Sequence, residues 1–379
     1  MLPFSSIDFF WLFLLFFGIV LICRAWFRSF IPYRRLLLFI TLFYIIGYFT
    51  EPLKAFGFVA YCYLIYFLFD YIFKLKNKLT GSILLALPMI FVKAHWQTDI
   101  VSFAGLSYIT FRVIQIYLDN DRSSKPVSVP DFFLFMLFPA TLLIGPIDRF
   151  DRFRSDLDSG YSRINPENLT RGWELLLLGI LQKYIMAEAV NRFWLSHADQ
   201  DSKHVSEMAN NMYAYSLYLY FDFAGYSALA SGMGRMFGIN VPENFNNPFF
   251  AVNPQDFWRR WHITLGNWLR DYIFRPYYKW ISGIRSLKNY PLLKQNTGLF
   301  LTFLVMGLWN GFLANYIISG SIFGIYSVVH NTYLVQCRKK QRDVIFGKMG
   351  PIAVKCISIF LMFNLTCFAL YIFSGRCHF

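Results

Sequence analysis

The 379 residues carry a formal charge of +14, yet only 15% are charged, while 56% are hydrophobic and 21% aromatic. With a mean hydropathy of +0.41, that balance excludes an ordinary soluble domain and indicates an all-α polytopic membrane protein. No stacking module or basic soluble domain accompanies the positive charge, so nucleic acid is not expected as a partner.

In chain order, apolar runs predict spans near 8–23, 36–50, 55–73, 82–94, 100–118, 131–147, 173–195, 211–237, 297–309, 312–335 and 352–373. Several fall short of the roughly 20 residues a straight span needs, and these are expected to be tilted, broken or re-entrant. The first run lacks a basic n-region and a small-residue cleavage site, so it is expected to stay attached. The whole is read as one membrane-embedded domain over 1–379, with N-terminal helices at 1–99 and a motif-bearing core at 100–379.

Basic residues give the orientation. Arg24, Arg28, Arg34 and Arg35 follow the first run and Lys74, Lys76 and Lys78 the third, whereas the loop between the second and third holds only Glu51 and Lys54. By the positive-inside rule the N-terminus faces out, in the plasma or inner membrane. The clusters Arg149 to Arg163, Arg259 to Lys294 and Arg338 to Arg342 then read as cytoplasmic, and contact with anionic headgroups is a compatible second use of the charge. The six cysteines (Cys23, Cys62, Cys337, Cys356, Cys367 and Cys377) contain no C-x-x-C pair, so neither a zinc site nor a disulfide framework is expected.

Gly145-Pro-Ile-Asp-Arg-Phe150 reads as a turn followed by a basic edge. Tyr213 to Tyr226 places Asp222 in an almost uncharged run with Tyr215, Tyr218 and Tyr226 as helical neighbours, so the carboxylate is either a helix-packing group or a substrate-facing one. Gly225, Ser227, Gly232 and Gly234 suit close backbone approach in lipid.

From 245 to 295 the chain stops reading as a simple span. After the turn-rich Phe245 to Pro254, Asn253 or Asp256 is expected to cap one helix on which Phe257, Trp261, Leu265, Trp268 and Tyr272 form an apolar stripe. His262 stands in Arg260-Trp-His262, among Arg259, Arg260, Arg270 and Arg275. An interfacial amphipathic helix with an incidental histidine is the plain alternative. Ionisable groups in membrane-embedded protein usually face a cavity or reaction centre, which makes His262 the first candidate for chemistry. Further on, His330 reads as a helix-end histidine near the last basic cluster, about 30 Å from Asn310 if the helix between them is continuous.

Gly145 to Phe150, Tyr213 to Ser227, Asn244-Phe245, Phe257 to Phe274 and Ile372-Phe-Ser-Gly375 together resemble the membrane-bound O-acyltransferases, most of all the members that transfer D-alanyl groups in teichoic acid modification. The resemblance spans about residues 100–379. It implies about 11 transmembrane or re-entrant helices around a central funnel. It also implies that a D-alanyl group arrives as a thioester on the phosphopantetheine arm of a cytoplasmic carrier protein and leaves toward (lipo)teichoic acid hydroxyls outside. A membrane-anchored extracytoplasmic transfer partner and a small membrane peptide are implied partners, and no cofactor or metal is implied on the chain itself.

The family's two tunnel histidines map to His262 and, in Trp309-Asn-Gly311, to Asn310, where a histidine is expected. Asparagine cannot serve as a base at neutral pH, but its amide can polarise a carbonyl. Asp222, Tyr218, Trp261 and Trp309 are the candidate tunnel supports. Arg285 and Lys288 are the candidates for an acidic carrier-protein surface. Two other readings share these residues: a cell-envelope polysaccharide O-acetyltransferase, and a catalytically impaired scaffold or acyl conduit suggested by Asn310.

Overall fold

The computed structural model describes residues 7–48, 52–73, 77–94, 105–119, 126–142, 144–200, 204–340 and 350–377. Glu51, Lys74, Lys76 and Arg342, used above for orientation, lie outside the described residues, as do the Lys54 side chain, the 99/100 division and residues 100–104 of the fifth predicted run. Every regular element among the described residues is helical. Two of these helical stretches, Asp8–Phe27 and Pro351–Phe373, are long and apolar enough to cross a membrane on length and composition alone.

The chain forms two compact units. The first comprises Met1–Leu181 with Gly225–Glu243, and the second Gln182–Ala224 with Asn244–Phe379.

The first unit contains α1 (Ile7–Ile22), α2 (Tyr33–Tyr48), α3 (Pro52–Phe73), α4 (Lys78–Ala94), α5 (Leu106–Asp119), α6 (Val129–Leu137), α7 (Phe150–Ser159), α8 (Pro166–Ile180) and the C-terminal part of α10 (Val205–Met236). Its core is built from large apolar side chains such as Phe13, Phe58, Phe132 and Phe237. Where α8 crosses α10, a Cβ on Gly232 would stand 2.8 Å from the Gly172 carbonyl, so the backbone approach expected of the α10 glycines is present.

The predicted run 131–147 is not one helix. Ser128 caps α6 by accepting from the Asp131 N–H at 3.3 Å. The helix stops at Leu137 because Pro139 forces Phe138 to ψ 116°, out of helical space. The carbonyls exposed by that stop are taken up by Arg112 of α5, whose Nη1 donates to Phe135 O at 2.8 Å and Met136 O at 2.7 Å. Its Nη2 donates to Thr141 Oγ1 at 2.7 Å and to the Thr141 carbonyl. In the following turn Asp148 is buried, accepts from the Arg149 N–H and Arg152 Nε at 2.6 Å each, and leads into α7.

The second unit contains α9 (Glu188–Phe193), the N-terminal part of α10, α11 (Pro254–Trp258), α12 (Ile263–Leu269), α13 (Arg275–Ser282), α14 (Pro291–Asn310), α15 (Ala314–Lys340) and α16 (Pro351–Phe373). α14 and α15 form a hairpin closed at small residues: a Cβ on Gly320 would meet Gly307 Cα at 3.0 Å. Ser319 Oγ and Asn315 Nδ2 of α15 each donate at 2.8 Å to carbonyls of α16, those of Ala369 and Phe373. Gly311 is extended and the chain restarts at Ala314, so the continuous helix considered between Asn310 and His330 does not form.

Candidate functional site

The single helix expected to carry the aromatic stripe is instead two helices, and His262 stands at the break. Asn253 caps α11, accepting from the Asp256 N–H at 2.8 Å, and α11 ends after Trp258. A second helix begins at Ile263 because the chain 20 residues upstream supplies its cap. Asn244 O accepts from the Ile263 N–H at 2.9 Å, while Asn244 Oδ1 accepts from the Thr264 N–H at 3.3 Å and Thr264 Oγ1 at 2.6 Å. The Asn246 N–H donates to the Arg260 carbonyl at 2.9 Å, holding the other side of the break. These bonds satisfy groups that a continuous helix would have paired internally.

Between the two helices His262 adopts a left-handed conformation, φ 43°. Such a conformation is uncommon for a residue with a Cβ, and it persists here because Asn244 and Asn246 fix both flanks. The imidazole is 5% exposed, and its Nε2 has no hydrogen-bond partner among the described residues. Phe223 of α10 packs edge-on against it, ring centroids 4.7 Å apart, and Trp309 of α14 lies at 6.4 Å. Burial lowers the pKa of this ring, which lies outside the predicted spans, and so keeps it neutral. Asn244 Nδ2 and Trp258 Nε1 are likewise buried without hydrogen bonds.

Of the residues singled out from sequence, His262 and Trp309 are neighbours, and Asn310 follows Trp309 at the end of α14. The Asn310 Nδ2 donates to the Met306 carbonyl at 2.9 Å, which occupies one of its two N–H groups. Trp261 is buried in an aromatic cluster, 5.6 Å from Phe257 and 5.2 Å from Phe245. The stripe residues Phe257, Trp261, Leu265 and Trp268 are all buried despite the break. Asp222 forms an ion pair with Lys183, with its carboxylate side chain about a third exposed. Tyr218 is half-buried one turn before Asp222. Arg285 and Lys288 are exposed, on the loop between α13 and α14 beside exposed Trp280 and Tyr290.

Sequence reasoning missed Phe223, Thr264 and Lys183, and used Asn244 only as a motif residue. Phe223 follows Asp222 in a run already singled out, but there the carboxylate was the conspicuous group. Lys183 is the partner that Asp222 needed, at a remove of 39 residues.

The chain belongs to the membrane-bound O-acyltransferase family, whose family model matches residues 45–374. It is therefore a member of a membrane acyltransferase family. Within that class it is similar to a teichoic acid D-alanyltransferase of Bacillus subtilis, 34% identical over 287 residues that cover 74% of this chain and 71% of that protein. A teichoic acid D-alanyltransferase of Streptococcus thermophilus is 31% identical over 309 residues, covering 78% and 74%. A peptidoglycan O-acetyltransferase of Helicobacter pylori is 34% identical over 211 residues, but these cover 55% of this chain and 38% of that protein.

Proposed function

We propose that this chain moves D-alanyl groups from a cytoplasmic carrier-protein thioester toward teichoic acid hydroxyls, with His262 as the proton acceptor. The observation that carries the reading is the buried, unbonded His262 Nε2 beside the Trp309-Asn310 motif, in a chain similar over most of its length to teichoic acid D-alanyltransferases. The acceptor hydroxyl gives its proton to His262, its oxygen bonds to the thioester carbonyl carbon, the C–S bond breaks, and the departing thiolate takes the proton back. The second N–H of the Asn310 amide polarises the carbonyl.

No cofactor is held by the chain in this scheme. Phosphopantetheine comes on the carrier, which meets the basic surface at Arg285 and Lys288. Asp222, Tyr218, Trp261 and Trp309 support the tunnel. The proposal includes one membrane-embedded domain of about 11 transmembrane or re-entrant helices around a funnel, the N-terminus outside, a membrane-anchored outer transfer partner and a small membrane peptide. D-alanine incorporation into acceptor polymer by the reconstituted system tests it; full activity in H262A sinks the mechanism.

Two observations favour other readings. The Asn310 bond to Met306 suits a structural residue, and hence a non-catalytic scaffold or conduit. Carrier binding without turnover in the complete system would select that reading. Similarity to the peptidoglycan O-acetyltransferase suits acetyl transfer, which release of acetate rather than D-alanine from mildly alkali-treated envelope would select.

A further inference from the structure

On the second unit, a cavity of about 600 Å³ has Phe250, Asp256, Arg259, Arg260, Lys355 and Ile359 in its lining, and His262 is not part of that lining. Its charges are three cations and one carboxylate. Asp256 is committed within the wall: it accepts from Arg260 Nε at 2.9 Å and from the Val252 N–H at 3.2 Å. Arg259 and Lys355 are exposed and have no ion-pair partner among the described residues. Two unpaired cations on separate elements, α16 and the end of α11, therefore converge on a cavity whose only carboxylate is already neutralised. The cavity lacks a counter-charge, and its chemistry suits an anion.

The surroundings narrow that anion further. Phe250 in the lining is 63% exposed, and on α16 Ile352 is 79% exposed. On a helix, Ile352, Lys355 and Ile359 follow at spacings of three and four and share one face. A cationic cavity thus shares a helix face with exposed Ile352 and half-buried Ile359 in a member of a membrane protein family. A free anion would use the cavity and leave that face without purpose, whereas a lipid uses both, with its phosphate against Arg259 and Lys355 and its acyl chain along α16. Arg259 belongs to a segment that reads as cytoplasmic, and Lys355 lies in the first turns of α16, at the end that follows the cytoplasmic cluster Arg338 to Arg342, the side on which anionic headgroups attract juxtamembrane Lys and Arg.

We infer that this cavity is a binding site for the phosphoryl headgroup of an anionic membrane lipid. The inference rests on the membrane orientation proposed above but not on D-alanyl transfer, and lipid retention is read without acceptor or turnover. The full chain, delipidated in detergent, is mixed with equal amounts of phosphatidylglycerol and phosphatidylcholine, and the retained lipid is counted by native mass spectrometry. Phosphatidylglycerol is expected to be retained roughly tenfold over phosphatidylcholine. R259Q/K355Q is expected to bring the two near parity at an unchanged unfolding temperature, and the charge-keeping R259K/K355R to preserve the preference. Equal retention by the wild type, or an undiminished preference in R259Q/K355Q, overturns the site. Abolition of the preference by millimolar inorganic phosphate reassigns it to free phosphate. Loss of carrier-protein binding in R259Q/K355Q with lipid preference intact reassigns the cavity to the carrier and overturns the inference equally.

Discussion

Arg112 in the first unit and His262 in the second are both buried polar side chains, and the chain treats them in opposite ways. Arg112 delivers one terminal nitrogen to carbonyls that the end of α6 left exposed and the other to Thr141 beyond it, and only its Nε is unbonded. It acts as a plug for a broken helix. His262 also sits at a broken helix, but there the exposed backbone groups are capped by Asn244, and the imidazole Nε2 is left over. A buried polar group that completes its neighbours' hydrogen bonds explains itself structurally. One that is held in place by others and has no hydrogen-bond partner among the described residues is the group proposed here to meet the substrate.

The comparison breaks most visibly if the two side chains are exchanged in role. H262A is expected to lower D-alanine incorporation by about 10² to 10⁴-fold, the usual contribution of a positioned general base, with little change in thermal unfolding in detergent. R112M is expected to do the reverse. It strands several buried carbonyls at about 1–3 kcal/mol each, lowering the unfolding midpoint and the membrane yield, while any protein that folds turns over normally. An H262A protein that fails to fold, or an R112M protein of normal stability, would erase the distinction.

Two substitutions sharpen the picture within the site. N310H restores the histidine that the resemblance leads one to expect and is expected to raise transfer by roughly tenfold or more. No gain, with normal folding and carrier binding, would mean that this position serves something other than proton transfer. N244A removes the acceptor for Thr264 and releases the left-handed His262. A roughly tenfold fall in kcat with an unchanged KM for the acylated carrier is expected, because His262 is mispositioned while Arg285 and Lys288, the proposed carrier surface, are untouched. An N244A enzyme with normal kcat would show that the break holds its shape without Asn244.

The helices were legible where their cause is local. Apolar runs placed α1, α3 and α16 to within three residues and α10 to within one at its end but six late at its start, and Asn253 was correctly one of the two candidate caps of α11. The failures share a different cause. Across residues 257–272 the apolar stripe keeps helical spacing, so the sequence reads as one helix; the interruption is imposed by Asn244, a contact the local pattern does not encode. The 131–147 run carried its own warning in Pro139, but hydrophobic continuity outweighed it. At the site, His262 and Trp309 could be named from motifs, whereas Phe223 against the imidazole and Lys183 against Asp222 are products of tertiary packing between segments far apart in the chain.

The smallest expected effect lies at the surface, where the logic of buried groups no longer applies. Arg285 and Lys288 are exposed on the loop after α13, so each is hydrated and screened, and neither is expected to matter to stability. Their contribution would be to encounter. Charge reversal in R285E/K288E is expected to slow association with an acidic acyl carrier protein several-fold to tenfold at low salt, with the dissociation rate nearly constant. Raising the ionic strength should slow the wild type toward the variant, since screening removes the same attraction that the substitutions remove. Stopped-flow association at two salt concentrations measures both. Salt-independent association, or a reversal variant that binds at the wild-type rate, would move the carrier interface off this loop while leaving the assignment of His262 intact, because the two rest on different physics: one on long-range charge in water, the other on an unbonded nitrogen where water is excluded.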